Sequence, residues 1–154
     1  MRKLTVNVNP PYEVLVGCGL LNSSGKLISE VIRGTKTLII SDSNTSPIYC
    51  KRLADALSGE GICVYTHIFA AGEENKTVKT VWDMLEAAAS CGLTRSDAIV
   101  ALGGGVTGDM AGFAAAVYLR GIDYIQIPTT VIAQSDSSVG GKTGWGLTYG
   151  TNIA

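Results

Sequence analysis

The sequence predicts an α/β fold, a Rossmann-like parallel sheet with helices on both faces, and three features of the chain predict it. Strand-like and helix-like runs alternate along its 154 residues, the order that βαβ units produce. The strand runs "KTLIIS" and "DAIVAL" are nearly continuously apolar, as strands covered on two faces must be. The second of these runs straight into "GGGVTGDMAG", a glycine turn that opens a helix of small residues.

Each element has its own signal. "KLTVNV" and "YEVLVG" read as a short strand pair around the Pro10-Pro11 turn. A helix follows from about Leu20 to Ile32 and is stopped by Gly34. "KTLIIS" is the first long strand and ends in the turn residues "DSNTSP". "PIYCKRLADALSGEG" is a helix with Pro47 in its first turn and a glycine stop. "ICVYTHIF" is a strand and "AAGEENK" the loop after it. "TVKTVWDMLEAAASCG" is an amphipathic helix with Val78, Val81, Trp82, Leu85 and Ala89 on one face, where Trp82 and Met84 serve packing. After the glycine turn a helix is expected from about Val106 to Leu119, then the strand "DYIQIPTT", then a turn over "VIAQSDSSVGG".

Composition narrows the function. The length suits one domain, with 46% hydrophobic and 16% charged residues and enough chain to bury a core. A net charge of −1 without any basic stripe argues against nucleic acid as a partner. The longest apolar run, "AGFAAAVYL", is too short to span a bilayer, and the N-terminus lacks a signal peptide's apolar block. Cys18, Cys50, Cys63 and Cys91 have no CxxC spacing and read as reduced, buried thiols of a cytoplasmic protein. The lone His67 lies in an apolar run and reads as a strand residue rather than a metal ligand.

Two phosphate-binding patterns compete. "GGKTG" resembles the end of an NTP-binding P-loop, but the glycine required five positions before Gly141 is Asp136. A carboxylate there has the wrong charge for phosphates, so the P-loop reading fails. Gly103, Gly105 and Gly108 satisfy G-x-G-x-x-G between a strand and a helix, where glycines admit a pyrophosphate and the helix N-terminus offers free N–H groups. The acidic residue expected at the end of the next strand is missing, because "DYIQIPTT" ends in Pro-Thr-Thr. A carboxylate stands instead at the end of "LIISD": Asp42 either meets a ribose hydroxyl or caps the helix near Pro47. Glu73 and Lys76, Thr129 and Thr130, and Asp136 and Lys142 also follow strands. Four polar loops at strand C-termini point to a ligand in the crevice there.

"GGGVTGDMAGFAAAVYLRGI", "QIPTTVIAQSDSSVGGKTG" and "GEENK" together resemble 3-dehydroquinate synthase, within the sugar-phosphate cyclase superfamily, from about Val14 to Gly144. The resemblance implies the N-terminal, NAD-binding domain of a dehydroquinate-synthase-like fold. It places Asp42 and Asn44 on the adenosine side of NAD, with Glu73 and Lys76 at a ribose. Gly104, Gly105, Val106 and Asp109, with Gly108 in the glycine pattern, would cradle the pyrophosphate, and Thr129 and Thr130 would support the nicotinamide half. Asp136 and Lys142 would lie between nicotinamide and substrate, and Arg120 would reach substrate phosphate near a dimer interface. The implied reaction takes 3-deoxy-arabino-heptulosonate 7-phosphate to 3-dehydroquinate and phosphate. It proceeds by oxidation of a secondary alcohol, phosphate elimination, return of the hydride, ring opening and aldol closure. It needs NAD, recycled, and a divalent metal, zinc or cobalt.

The family's metal ligands, a glutamate and two histidines, belong to a second, helical domain, and none of the three lies in this chain. The resemblance therefore predicts that residues 1–154 form the NAD-binding domain alone and are catalytically incomplete. The family's "GKTGVN", proline and "GKN" give way to "GKTGWGLTYGTN": Trp145 and Gly146 replace Val-Asn, Thr148 the proline and Thr151 a lysine, while Asn152 is retained as a cofactor contact.

Overall fold

The computed structural model describes residues 1–140 and 143–144. Strand β1 (Arg2–Val6) pairs antiparallel with β2 (Tyr12–Val16) as a separate hairpin. Then come α1 (Leu20–Ser29), β3 (Lys36–Asp42), α2 (Ser46–Ser58), β4 (Cys63–Phe69), α3 (Val78–Ser90), β5 (Ala98–Gly103), α4 (Gly105–Val117) and β6 (Asp123–Pro128). The last four strands form one parallel sheet in the order β4-β3-β5-β6.

The alternation of side chains along a strand divides the core into two layers. Leu38 and Ile40 of β3, with Ile99 and Ala101 of β5, pack against Val81, Met84 and Ala88 of α3 and Met110, Ala111 and Ala114 of α4. Ile39, Val100 and Leu102 point the other way, onto Ile28 of α1 and Leu53 and Leu57 of α2. All six residues of β5 are buried, which is why this strand reads as an unbroken apolar run. Each fully buried Leu or Ile in these layers contributes on the order of 1.5–3 kcal/mol over its exposed state. The predicted fold class is the one observed.

Four local expectations are corrected. Helix α1 ends at Ser29 with Glu30 as its C-cap, short of Ile32 and of Gly34. The buried stripe of α3 is Val81, Met84 and Ala88, while Val78, Trp82 and Ala89 face outward; Trp82 is 61% exposed. The helix is apolar over more than one face, and α4 is made of small residues, so the closer approach along the alanine side decided the rotation. Only Cys50 is a buried thiol: Cys18 follows the hairpin, Cys63 opens the edge strand β4, and both are exposed. Residues 131–137, expected to be a turn, are helical, with a π-helical turn over Ala133–Ser137 closed by a bond from the Ser138 N–H to the Ala133 carbonyl of 3.0 Å.

Candidate functional site

From β3 the chain crosses to β4 by way of α2 on one face. From β5 it crosses to β6, on the other side, by way of α4 on the opposite face. β3 and β5 are neighbours, so their C-terminal ends flank the point where the sheet's direction of growth reverses. There the loops diverge and leave a crevice. Asp42 ends β3, and Gly103 ends β5.

At the β5 side, α4 begins at Gly105, and the Gly108 N–H is bonded to the Gly104 carbonyl at 3.0 Å. The N–H groups of Gly105, Val106 and Thr107 precede that first helical bond, so they have no acceptor within the helix. The helix dipole adds partial positive charge at the same end. A side-chain carbon on Gly104 would stand 3.3 Å from Thr130 Cγ2, and one on Gly105 would stand 3.2 Å from Ser137 Oγ. The loop after β6 therefore closes tightly over this turn. It is fixed there by the bond from the Thr129 N–H to the Gly103 carbonyl at 2.9 Å, while Thr130 Oγ1 caps the following helical segment by accepting from the Ala133 N–H at 3.2 Å.

At the β3 side, the Asp42 carboxylate is almost buried and accepts four hydrogen bonds. They come from the N–H groups of Asn44 and Thr45, both at 2.9 Å, the Thr45 hydroxyl at 2.8 Å and the Thr107 hydroxyl at 3.2 Å. Burial alone would raise its pKa, but these bonds overcome that and hold the carboxyl below its ordinary value. Thr107 lies in the first turn of α4, so this bond joins the two sides of the switch point directly. Asp42 thus organises the turn before α2, while the helix's N-cap is Thr45 and no side chain caps it. Asn44 is exposed beside it.

Glu73 opens a short 3₁₀ turn, Glu73–Asn75, and is exposed, whereas Lys76 directly after it is buried. Lys76 Nζ lies 2.6 Å from the Asp109 carboxylate, an ion pair in which both side chains are largely removed from solvent. The pair ties the loop after β4 to the second turn of α4. Tyr124 of β6 donates to the Gly108 carbonyl at 2.8 Å; burial first, and the nearby Asp109 charge second, raise its pKa, so it remains a neutral phenol. The Asp109 carbonyl accepts from the Gly144 N–H at 3.2 Å, which holds Gly144 beside α4.

The structure therefore brings Asp42, Asn44, Glu73, Lys76, Gly104, Gly105, Val106, Asp109, Thr129 and Thr130 to this edge of the sheet, whereas Gly108 turns onto β6, where a side-chain carbon would stand 2.1 Å from Gln126 Nε2. Asp136 lies in the π-helical turn of the same wall and is exposed. Arg120 is not among them. It follows α4 at the opposite edge of the sheet, about 20 Å from the glycine turn given 13 helical residues at ~1.5 Å each. Lys142 and Asn152 lie outside the described residues, as do Trp145, Gly146, Thr148 and Thr151. Sequence reasoning missed Thr107, Tyr124 and Ser137, which act through contacts between distant segments. Thr107 alone carried a signal, as a polar residue inside the glycine pattern.

The donor set fits a dinucleotide's pyrophosphate: N–H groups at a helix start that have no acceptor within the helix, and a buried hydroxyl, Ser137 Oγ, without a hydrogen-bond partner among the described residues. Among the described residues no group of three or more His, Cys, Asp or Glu side chains could hold a metal ion. No helix among them is long and apolar enough to cross a membrane.

Comparison with known proteins agrees with this fold. The family described as 3-dehydroquinate synthase N-terminal matches residues 66–154. A 3-dehydroquinate synthase of Clostridium acetobutylicum is 45% identical over 92% of this chain. The chain spans about 40% of that relative's length. The crystal structure of 2-deoxy-scyllo-inosose synthase complexed with carbaglucose-6-phosphate, NAD+ and Co2+ matches 99% of this chain and 41% of its own, with 33% identity and a TM-score of 0.89. The 2-epi-5-epi-valiolone synthase of Streptomyces hygroscopicus with NAD+ and Zn2+ bound matches 93% of this chain and 39% of its own, with 30% identity and a TM-score of 0.81.

Proposed function

The chain belongs to the 3-dehydroquinate synthase N-terminal family, and from that footing we propose that residues 1–154 are the NAD-binding domain of a 3-dehydroquinate synthase. That enzyme converts 3-deoxy-arabino-heptulosonate 7-phosphate to 3-dehydroquinate and phosphate. The observation that carries the reading is the N-terminal turn of α4, with three N–H groups that have no acceptor within the helix, set at the point where the sheet reverses and walled by the loop after β6.

NAD, when bound, supplies a hydride acceptor for a secondary alcohol, and a divalent metal supplies a Lewis acid for the reacting oxygens. The chain's own residues do the holding. The N–H groups of Gly105, Val106 and Thr107 meet the pyrophosphate, with Gly104 admitting it and Gly108 and Asp109 fixing the helix start. Asp42 shapes the adenosine side by holding the Asn44 and Thr45 backbone in place, and Glu73 with Lys76 lines the ribose. Thr129 and Thr130 back the nicotinamide half. Asp136 and Lys142 flank the turn toward substrate, where the lysine offers a cation to phosphate or to developing negative charge. Asn152 adds a cofactor contact. Arg120 lies at the far edge, so its contact with substrate phosphate requires a second copy of the chain, in keeping with a homodimer.

Identity to the curated relative, 45%, against 33% to the inosose synthase, supports the dehydroquinate reaction over the other carbocycle-forming members. The close structural match keeps such a cyclase as the second reading. Isothermal titration of the chain with NAD+ tests the proposal: saturable one-to-one binding is expected, and no heat at millimolar NAD+ would contradict it. Phosphate release from 3-deoxy-arabino-heptulosonate 7-phosphate by the chain alone is expected to be nil, and measurable release would overturn its catalytic incompleteness.

A further inference from the structure

Two buried side-chain oxygens, Thr37 Oγ1 and Ser137 Oγ, lack a hydrogen-bond partner among the described residues. Thr37 lies near the start of β3, inside the sheet, opposite Ala98. Ser137 lies at the other edge, in the wall of the crevice, with its hydroxyl 3.2 Å from where a side-chain carbon on Gly105 would stand. The N–H groups of Gly105, Val106 and Thr107 also lack acceptors within the helix. N–H groups without an acceptor in the helix and a hydroxyl without a partner among the described residues meet here, a donor set suited to an acceptor from outside the protein.

The π-helical turn explains why the hydroxyl is there. The bond from Ser138 to Ala133 closes one residue later than an α-helical bond would, with Ala133 fully buried. That extra residue widens the turn and sets Ser137, rather than a neighbour, against the glycine turn, the kind of local irregularity that recurs at functional sites. Asp136, next to it, could only repel an anion. A serine hydroxyl can donate without adding charge.

We propose that the Ser137 hydroxyl donates a hydrogen bond to a phosphate oxygen of the dinucleotide held at the start of α4, which makes it a further binding residue. The inference rests on the dinucleotide reading above. It also has a consequence without ligand: a buried hydroxyl lacking a partner weakens the free protein, so its removal should not destabilise the fold.

Isothermal titration with NAD+ and with adenosine, together with thermal unfolding of the free protein, tests this with Ser137→Ala. NAD+ binding is expected to weaken about tenfold, equivalent to about 1.4 kcal/mol. Adenosine binding should be unchanged, and the free variant should melt at or above the wild-type temperature. NAD+ affinity within twofold of wild type would overturn the inference, as would an equal loss for adenosine or a lower melting temperature. If wild type itself fails to bind NAD+, the dinucleotide reading falls and takes this inference with it. Normal wild-type binding with an unaffected variant sinks the Ser137 role alone.

Discussion

At the scale of residues, buried charges hold the loops at both edges of the sheet. Asp97, just before β5, is 3% exposed and accepts from the N–H groups of Thr35, Lys36 and Thr94 and from the Thr94 hydroxyl at 2.7–3.1 Å. Burial would raise its pKa, but these four bonds outweigh that and hold it below the ordinary 3.8. A folded value below the unfolded one gives stability that is present above pH 3.8 and is lost as pH falls through the folded value. Asp97→Asn should therefore lower neutral-pH stability by about 1–3 kcal/mol in urea unfolding, and the gap from wild type should narrow in acid. A pH-independent gap would contradict this assignment. The Lys76–Asp109 pair follows a different rule. Lys76→Met, which strands a buried carboxylate, should cost about 3–5 kcal/mol, and Lys76→Met with Asp109→Leu should cost markedly less than the two single changes summed. Neither pairing was visible in sequence. Asp97 and Lys76 stand in ordinary polar loops, and their partners lie as far as 62 positions away along the chain.

At the scale of elements, period and punctuation located every strand and helix of the sheet, because strands covered on both faces must be continuously apolar and α2 announces its ends with Pro47 and Gly59. Periodicity alone could not choose which apolar face of α3 turns inward, since that depends on how closely α4 approaches. Nor could it find the π-helical turn, which is set by packing against the glycine turn rather than by composition. The α1–α2 contact shows how such packing can reverse a propensity. Gly25 is buried in α1, and a side-chain carbon there would stand 1.9 Å from the Ala56 carbonyl oxygen of α2. In an open helix, replacing glycine by alanine stabilises by about 0.5–1 kcal/mol. Here Gly25→Ala should destabilise by about 1–3 kcal/mol, because α2 must move. Equilibrium unfolding checks the sign, and NAD+ affinity should be unaffected, since α1 lies away from the crevice.

At the scale of the molecule, two layers of helices hold a four-stranded sheet whose reversal point places one helix start, one capped carboxylate and one tight loop side by side. The candidate site was legible in sequence to the extent that polar loops follow strands, and the parallel sheet then brings those loops to one edge. Arg120 shows the limit. Its motif is read easily, but the helix before it carries it to the opposite edge, and only topology reveals that. On the proposed function, a dinucleotide binds at the start of α4. Mapping backbone amide chemical shifts by NMR during an NAD+ titration tests it most directly. The largest shifts are expected on Gly104, Gly105, Val106 and Thr107, with smaller ones at Asn44 and Ser137. Saturable binding whose shifts instead cluster around Asp97 and Arg120, at the opposite edge, would contradict it.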